Sequence, residues 1–251
     1  MIKAERHDRI MSELARRGAI SALELGEIMA ASIATVRRDI AELDENGVVV
    51  RTHGGVTLRS QLDEPQYASK VMAFLPEKRR IGALAASALA ANQTIGCGGG
   101  TTVMQMIMAI KRMQLRVVTT AINVALELLG SPGIEVVVTG GTLRGRTAEL
   151  VGHIAESTLA AVNLDVAVIG VDGFDVDGGL TTYDFAEAHV NSVLVNRARA
   201  VWVLADASKL GIVRPAVIAP CSKVTRLITD TSASTVMTRS IARLGITVLR
   251  A

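Results

Sequence analysis

The chain has 251 residues, 49% of them apolar and only 2% aromatic. So few aromatic rings exclude a base-stacking surface for single-stranded nucleic acid, and they suit helices packed on buried aliphatic strands. The formal charge is +3, and residues 1–60 hold nine Lys/Arg against nine Asp/Glu, so any case for a polyanionic partner must rest on where the charges sit. Cys97 and Cys221 offer neither a disulfide framework nor a metal-ligand spacing and read as small core residues. The first ten residues lack the apolar run of a signal peptide, and no stretch approaches a membrane span. A cytoplasmic, reducing setting is expected, with no membrane partner, no cofactor and no metal.

Residues 2–16 are expected to form a helix with Ile10, Met11 and Leu14 on one face, ended by Gly18. Ser21 opens a second helix carrying Leu25, Ile28 and Met29, and Glu24 stands at capping-box spacing from it. Ser32 caps a third helix that runs to about Glu45 and is ended by Asn46-Gly47. On that helix Ile33, Val36, Ile40 and Leu43 share the side that must be buried, while Ala34, Thr35 and Arg38 point away and Arg37 flanks them. Short β-like runs at 48–51 and 56–58 flank His53-Gly54-Gly55. Three helices and a small hairpin give residues 1–58 the winged-helix plan, whose third helix enters the major groove of double-stranded DNA. Small Ala34 and Thr35 permit close approach there. Arg38 can reach a base edge or a phosphate, Arg37 the backbone, and the helix start at Ser32 a phosphate. Arg51 and His53 are the wing's candidates. The competing reading is a solvated Arg37-Arg38 face neutralised by Asp39 and Glu42, and charge alone does not choose between the two.

Residues 59–76, broken by Pro65 and Pro76, are polar and aperiodic and read as a linker. From 77 to 251 short apolar runs alternate with helical patterns. Strands are expected at 94–97, 116–119, 135–139, 166–170, 201–205, 226–228 and 247–249, and helices near 77–91, 102–112, 122–129, 150–161, 186–198 and 232–244. Such alternation signals an α/β domain with a mostly parallel sheet covered on both faces. Ligands of open parallel sheets bind outside the carboxyl ends of the strands. Five polar segments fall there: 95–106, 118–123, 138–146, 170–191 and 205–211. In the first, Gly98, Gly99, Gly100, Thr101 and Thr102 offer backbone N–H and hydroxyl donors to a phosphate, although the run is neither a Walker A loop nor G-x-G-x-x-G. Taken alone it is equally a bare strand-to-helix turn. The other segments contribute Thr120, Gly141, Arg144, Asp172, Glu187 and Lys209. Asp172, Asp175 and Asp177 lack the spacing of a calcium loop and read as solvated loop carboxylates.

ERHDRIMSEL followed by LGEIMAASIATVRRDIAELDENGVVVRTHGGV resembles the N-terminal signature of the DeoR family of transcriptional regulators. Ser32, Thr35, Val36, Arg37, Arg38, Asp39, Ile40, His53, Gly54 and Gly55 all fall on it. Residues 77–230 are similar to that family's C-terminal domain, whose fold is related to ribose-5-phosphate isomerase and glucosamine-6-phosphate deaminase. The matching residues are Glu77, Lys78, Ile81 and Gly82, the G-T-T at 100–102, T-G-G-T at 139–142, V-G at 151–152 and the D-G to G-L-T-T block at 172–182. Glu187-Ala188, Ser208-Lys209 and Ile228-Thr229-Asp230 complete them. The nearest resemblance is to regulators of amino-sugar and hexitol catabolism.

The resemblance implies a Rossmann-like, ribose-5-phosphate-isomerase-like effector domain behind a winged helix-turn-helix. It implies a non-enzymatic repressor of a carbohydrate-catabolic operon, released from operator DNA by a phosphorylated sugar and acting as a homodimer or higher oligomer. Two positions depart from the family pattern. Gly98 stands where the family usually has Asp, and Thr120 where it usually has Asn, so two partners for sugar hydroxyls are expected to be missing while the phosphate cradle remains. One alternative is a sugar-phosphate isomerase or deaminase carrying a DNA-binding segment, which needs a carboxylate base that Gly98 does not supply. The other is a second domain that only oligomerises.

Overall fold

The computed structural model describes residues 2–45, 49–52, 55–58, 64–65 and 67–251. The chain divides into two compact units, Met1–Leu75 and Pro76–Ala251.

The first unit runs α1 (Lys3–Arg17), β1 (Ala19–Ser21), α2 (Ala22–Met29), α3 (Ile33–Glu45), β2 (Val49–Thr52), β3 (Gly55–Leu58) and α4 (Tyr67–Met72). Gly18 ends α1 at φ 77° and donates its N–H to the Leu14 carbonyl at 2.8 Å. The capping box forms as expected: Ser21 Oγ accepts from Glu24 N, and Ser21 N donates to Glu24 Oε2. Ile10, Leu14, Leu25, Met29, Val36, Ile40 and Leu43 close one core with Ile20, Val49 and Val56. Ile33 departs from its expected place, being 42% exposed. It occupies the first turn of α3, ahead of Val36, and a helical-face argument does not register where a helix runs out of neighbours.

Strand β1 is too short to show a period. It pairs with β3, Ile20 opposite Val56, and sets the sheet order β1-β3-β2. That pairing explains Gly55, where a Cβ would lie 2.6 Å from the Ile20 carbonyl oxygen. The Asn46-Gly47 turn and His53-Gly54 lie outside the described residues. In the expected linker, residues 67–72 are helical, Phe74 takes φ 56°, and the next helix begins at Leu75 rather than 77.

The second unit contains α5 (Leu75–Ser87), β4 (Thr94–Cys97), α6 (Thr101–Ile110), β5 (Leu115–Thr119), α7 (Ile122–Leu128), β6 (Ile134–Val138), β7 (Thr142–Arg144), β8 (Glu149–Val151) and α8 (His153–Ala160). It continues through β9 (Leu164–Gly170), β10 (Gly173–Asp175), β11 (Gly179–Thr182), α9 (Phe185–Asn196), β12 (Ala198–Leu204), β13 (Ala216–Ala219), β14 (Arg226–Thr229), α10 (Thr235–Arg243) and β15 (Thr247–Arg250). The seven strands expected of the parallel sheet are all present, in the order β15-β14-β12-β9-β4-β5-β6, and every neighbouring pair is parallel.

Alternate residues of each strand feed opposite faces. Val117, Val166, Val168 and Leu204 join Ile81, Met106, Ile107 and Leu128 in one layer. Val118, Ala167, Ile169 and Val203 join Leu159, Val190, Leu194 and Ile241 in the other. From β4 the chain winds outward through β5 and β6, then returns to pair β9 on the opposite side of β4 and winds outward through β12, β14 and β15. The winding therefore reverses between β4 and β9, which is where such sheets open a crevice.

Two stretches depart from expectation. Residues 149–151 are a strand paired with β7, so α8 starts at His153 rather than 150. The 170–191 stretch is not an open loop: β10, β11 and β13 form an antiparallel sheet, with Phe174 and Leu180 fully buried. Its Asp/Gly density is hairpin-turn chemistry, since Asp175 Oδ1 accepts from the N–H groups of Asp177 and Gly178. Asp172 is buried and accepts from Thr182 Oγ1 at 3.0 Å, which corrects its reading as a solvated carboxylate.

Candidate nucleic-acid interface and ligand site

Helix α3 presents Ser32, Ala34, Arg37 and Arg38 to solvent, with Thr35 half-buried. Ser32 caps the helix by accepting from Thr35 N at 3.2 Å. The acids expected to neutralise the arginines are engaged elsewhere. Asp39 is buried and held by Arg6 through two bonds of 2.6 and 3.0 Å, with His7 Nε2 at 3.4 Å, and Glu42 pairs with Lys3 at 2.5 Å. Arg9, Arg16 and Arg17 all converge on Glu13. Among the described residues Arg37, Arg38 and the exposed Arg51 of the wing have no ion-pair partner. Residues 1–60, which carry no net charge, thus place cations without an ion-pair partner on the two elements that meet DNA in the winged-helix plan.

Burial alone would raise the Asp39 carboxyl, but the hydrogen bond and charge of Arg6, aided by His7, outweigh it and hold it below its ordinary value of 3.8. A lowered carboxyl contributes stability above its unfolded-state value and loses it as pH falls through the native one. Asp39→Asn is therefore expected to lower the thermal midpoint at neutral pH and to flatten the acid-side loss below about pH 4. Melts across that range check it, and a variant that melts like the wild type at every pH would show that the pair does not hold α3 to α1.

In the second unit the five polar segments do lie at the carboxyl ends of strands β4, β5, β6, β9 and β12. Gly98, Gly99 and Gly100 link β4 to α6, which begins at Thr101, with Thr102 buried. A Cβ on Gly100 would stand 3.2 Å from Gly170 Cα, so the loop rests directly on the end of β9, at the winding reversal. Cys97 lies beneath the loop, and burial pushes its thiol up to about 12, so it remains a neutral core group. Thr120 is fully buried, its N–H reaches the Cys97 carbonyl at 3.4 Å, and its Oγ1 has no protein partner.

The remaining candidates divide. Gly141 adopts φ 119°, and a Cβ there would lie 2.7 Å from the Val151 carbonyl, which accounts for it without a ligand. Arg144 departs from its expected role as a ligand's cation: Asp184 at 3.2 Å and Glu187 at 3.1 Å already neutralise it. Glu187 also accepts from Thr147 Oγ1, and its carbonyl accepts from Asn191 Nδ2. Lys209 ends a 3-10 turn after β12, with no ion-pair partner among the described residues. It stands two strands from β4, about 10 Å at sheet spacing.

Glu149 and Asn191 were not legible as site residues. Glu149 Oε1 accepts from Gly99 N, and Asn191 Oδ1 lies 3.0 Å from where a Gly98 Cβ would be. Glu149 thus places beside the loop a carboxylate that Gly98 itself does not supply. No local pattern marks it, because its partner is fifty residues away in sequence. Among the described residues no helix is long and apolar enough to cross a membrane.

A winged helix with unpaired arginines on its reading helix, followed by a parallel α/β domain, defines a DNA-binding regulator. Residues 6–62 match the DeoR-like helix-turn-helix domain and residues 74–231 the DeoR C terminal sensor domain. The chain belongs to the DeoR family of transcriptional regulators. It is 35% identical over 251 residues to the HTH-type transcriptional regulator GlpR of Haloferax volcanii, covering 99% of this chain and 98% of that protein. It is 33% identical over 226 residues to the HTH-type transcriptional repressor CsqR of Escherichia coli, covering 90% and 87%. It is 30% identical over 212 residues to the glycerol-3-phosphate regulon repressor of Escherichia coli, covering 84% of each.

Among solved structures it is similar to a probable sor operon regulator from Shigella flexneri, with TM-score 0.42 and 14% identity over 68% of this chain and 88% of that one. Another is ribose 5-phosphate isomerase from Methanocaldococcus jannaschii, with TM-score 0.41 and 17% identity over 55% of each. These relatives of similar length are named regulators and repressors, so the chain is a DNA-binding regulator and not an enzyme.

Proposed function

We propose that the chain represses a carbohydrate-catabolic operon and leaves operator DNA when a phosphorylated sugar binds at the Gly98–Thr102 loop. The observation that carries this reading is the loop's position: it opens α6 at the winding reversal between β4 and β9, with only glycine between strand and helix. Backbone N–H groups at a helix start favour an anion. The name of one relative, the glycerol-3-phosphate regulon repressor, refers to a phosphorylated polyol, which supports the same ligand class. Release follows from population shift: an effector that prefers one arrangement of the assembly disfavours the spacing needed for paired half-sites. Ser32, Ala34, Thr35, Arg37, Arg38, Arg51 and His53 face DNA in this reading, and the protein works in the cytoplasm.

A thermal-shift screen of phosphorylated sugars, followed by operator release measured by fluorescence anisotropy, tests the reading. Stabilisation by none of them would overturn it. A first unit with so few free cations grips one half-site weakly, so the working form is a homodimer or higher oligomer whose second reading head gains from effective concentration. Light scattering is expected to give at least a dimer at micromolar concentration. A monomer that stays monomeric with operator DNA would contradict it.

A further inference from the structure

Glu149 is a buried charged group of the second unit to which the proposed function assigns no role. It is buried on β8, opposite Arg144 in the β7–β8 register. The start of α7 runs beside it, since Leu150 N donates to the Thr120 carbonyl at 2.7 Å and Ile122 N to the Ala148 carbonyl at 3.0 Å. Its carboxylate reaches across to the glycine loop and takes the Gly99 N–H. A Cβ on Gly98 would stand 3.0 Å from Glu149 Oε1, and one on Gly99 would stand 2.9 Å from Glu149 Cγ. The paired glycines and the glutamate are therefore one arrangement, in which the loop lies under the carboxylate because neither residue carries a side chain.

A second observation points to a ligand at the same place. Thr120 is fully buried, is tied by its N–H to the Cys97 carbonyl next to Gly98, and has an Oγ1 with no protein partner. On the other side Asn191 turns Oδ1 toward Gly98 while its Nδ2 is committed to the Glu187 carbonyl.

We propose that Glu149 determines the ligand specificity of the effector site. An amide already donated to a carboxylate is not offered to a phosphate, and the carboxylate's charge repels one. The phosphoryl group is thereby confined to the Gly100–Thr102 end, at the start of α6. The Gly98–Gly99 end becomes an acceptor site for the ligand's hydrogen-bond donors, read by Glu149 together with Thr120 and Asn191. Those donors are the hydroxyls of a polyol chain or the ammonium of an amino sugar. This assignment rests on the phosphorylated-sugar reading of the loop.

Calorimetry of the full-length wild type, Glu149→Gln and Glu149→Ala against inorganic phosphate, glucitol 6-phosphate and glucosamine 6-phosphate tests it. Glu149→Ala is expected to bind inorganic phosphate about tenfold more tightly, because the amide is released and the charge removed. It is also expected to lose about tenfold of the preference for the sugar phosphates over inorganic phosphate. Glu149→Gln keeps the side chain's shape and an acceptor for Gly99, so it guards against a result that reflects a disturbed hairpin. A wild-type preference for glucosamine 6-phosphate that disappears in Glu149→Gln assigns the ammonium, and equal binding of the two sugars assigns the hydroxyls. Affinities for all three probes that move by one common factor, or not at all, would overturn the role of Glu149. A gain in inorganic phosphate affinity by Glu149→Ala when no variant binds either sugar phosphate would sink the sugar-phosphate reading and with it the specificity role of Glu149, leaving only its exclusion of phosphate from the Gly98–Gly99 end. No binding of any probe by any variant overturns both.

Discussion

Arg38→Ala is expected to weaken operator binding by about 1–3 kcal/mol, roughly 5- to 150-fold, and to relax the preference for operator over scrambled sequence. Arg38 is exposed on α3, on the side away from the buried Val36, Ile40 and Leu43. Its neighbour in sequence, Asp39, does not neutralise it, because that carboxylate is buried in the Arg6 pair. A guanidinium without a competing partner is free to make the bidentate contact to a guanine edge that carries sequence discrimination. Arg37 flanks that face, so Arg37→Ala is expected to weaken operator and scrambled DNA alike and to reduce the salt dependence by about one counterion. Anisotropy titrations of both variants on both DNAs at several salt concentrations separate the two roles. An Arg38→Ala protein with unchanged affinity for both DNAs would remove that residue from the interface.

The parallel sheet was legible because its strands are buried on both faces and therefore read as short unbroken apolar runs, such as 166–169 and 201–205. The hairpins were not. Residues 173–182 are rich in Gly, Asp and Thr, and there as in 142–151 strands of three or four residues carry too little period to stand out. The site divides along the same line. The glycine loop is a local feature, with strand, turn and helix start in one stretch of chain. Arg144 reads in sequence as a ligand's cation. Its neutralisation by Asp184 and Glu187 depends on α9 packing beside β8, which sequence spacing does not encode. Gly98 reads in sequence as a lost carboxylate, whereas in the fold it makes room for Glu149.

A phosphorylated sugar is expected to bind at least ~100-fold more tightly than its unphosphorylated parent, and to be the form that releases operator DNA. The first N–H groups of a helix have no intrahelical acceptor, and α6 starts at Gly100 without a side-chain cap, where the loop meets Gly170. Two hydrogen bonds to a charged phosphoryl oxygen, at about 1.5–3 kcal/mol each, supply about 3 kcal/mol at the low end, roughly 150-fold. The positive end of α6 adds about 0.3–1 kcal/mol for an anion over a neutral hydroxyl. Arg144 is held by two carboxylates, whereas Lys209 has no ion-pair partner among the described residues and is the cation proposed to complement the ligand's charge. Lys209→Ala is expected to lower sugar-phosphate affinity about tenfold, the low end for one charge-assisted contact, and to leave operator affinity unchanged. Calorimetry of wild type and Lys209→Ala with a sugar phosphate and its parent, paired with operator anisotropy, checks each step. Equal response of the two proteins to a phosphate that binds excludes Lys209 from the pocket. Equal affinity for the phosphorylated and parent sugars would show that the start of α6 does not hold the phosphoryl group.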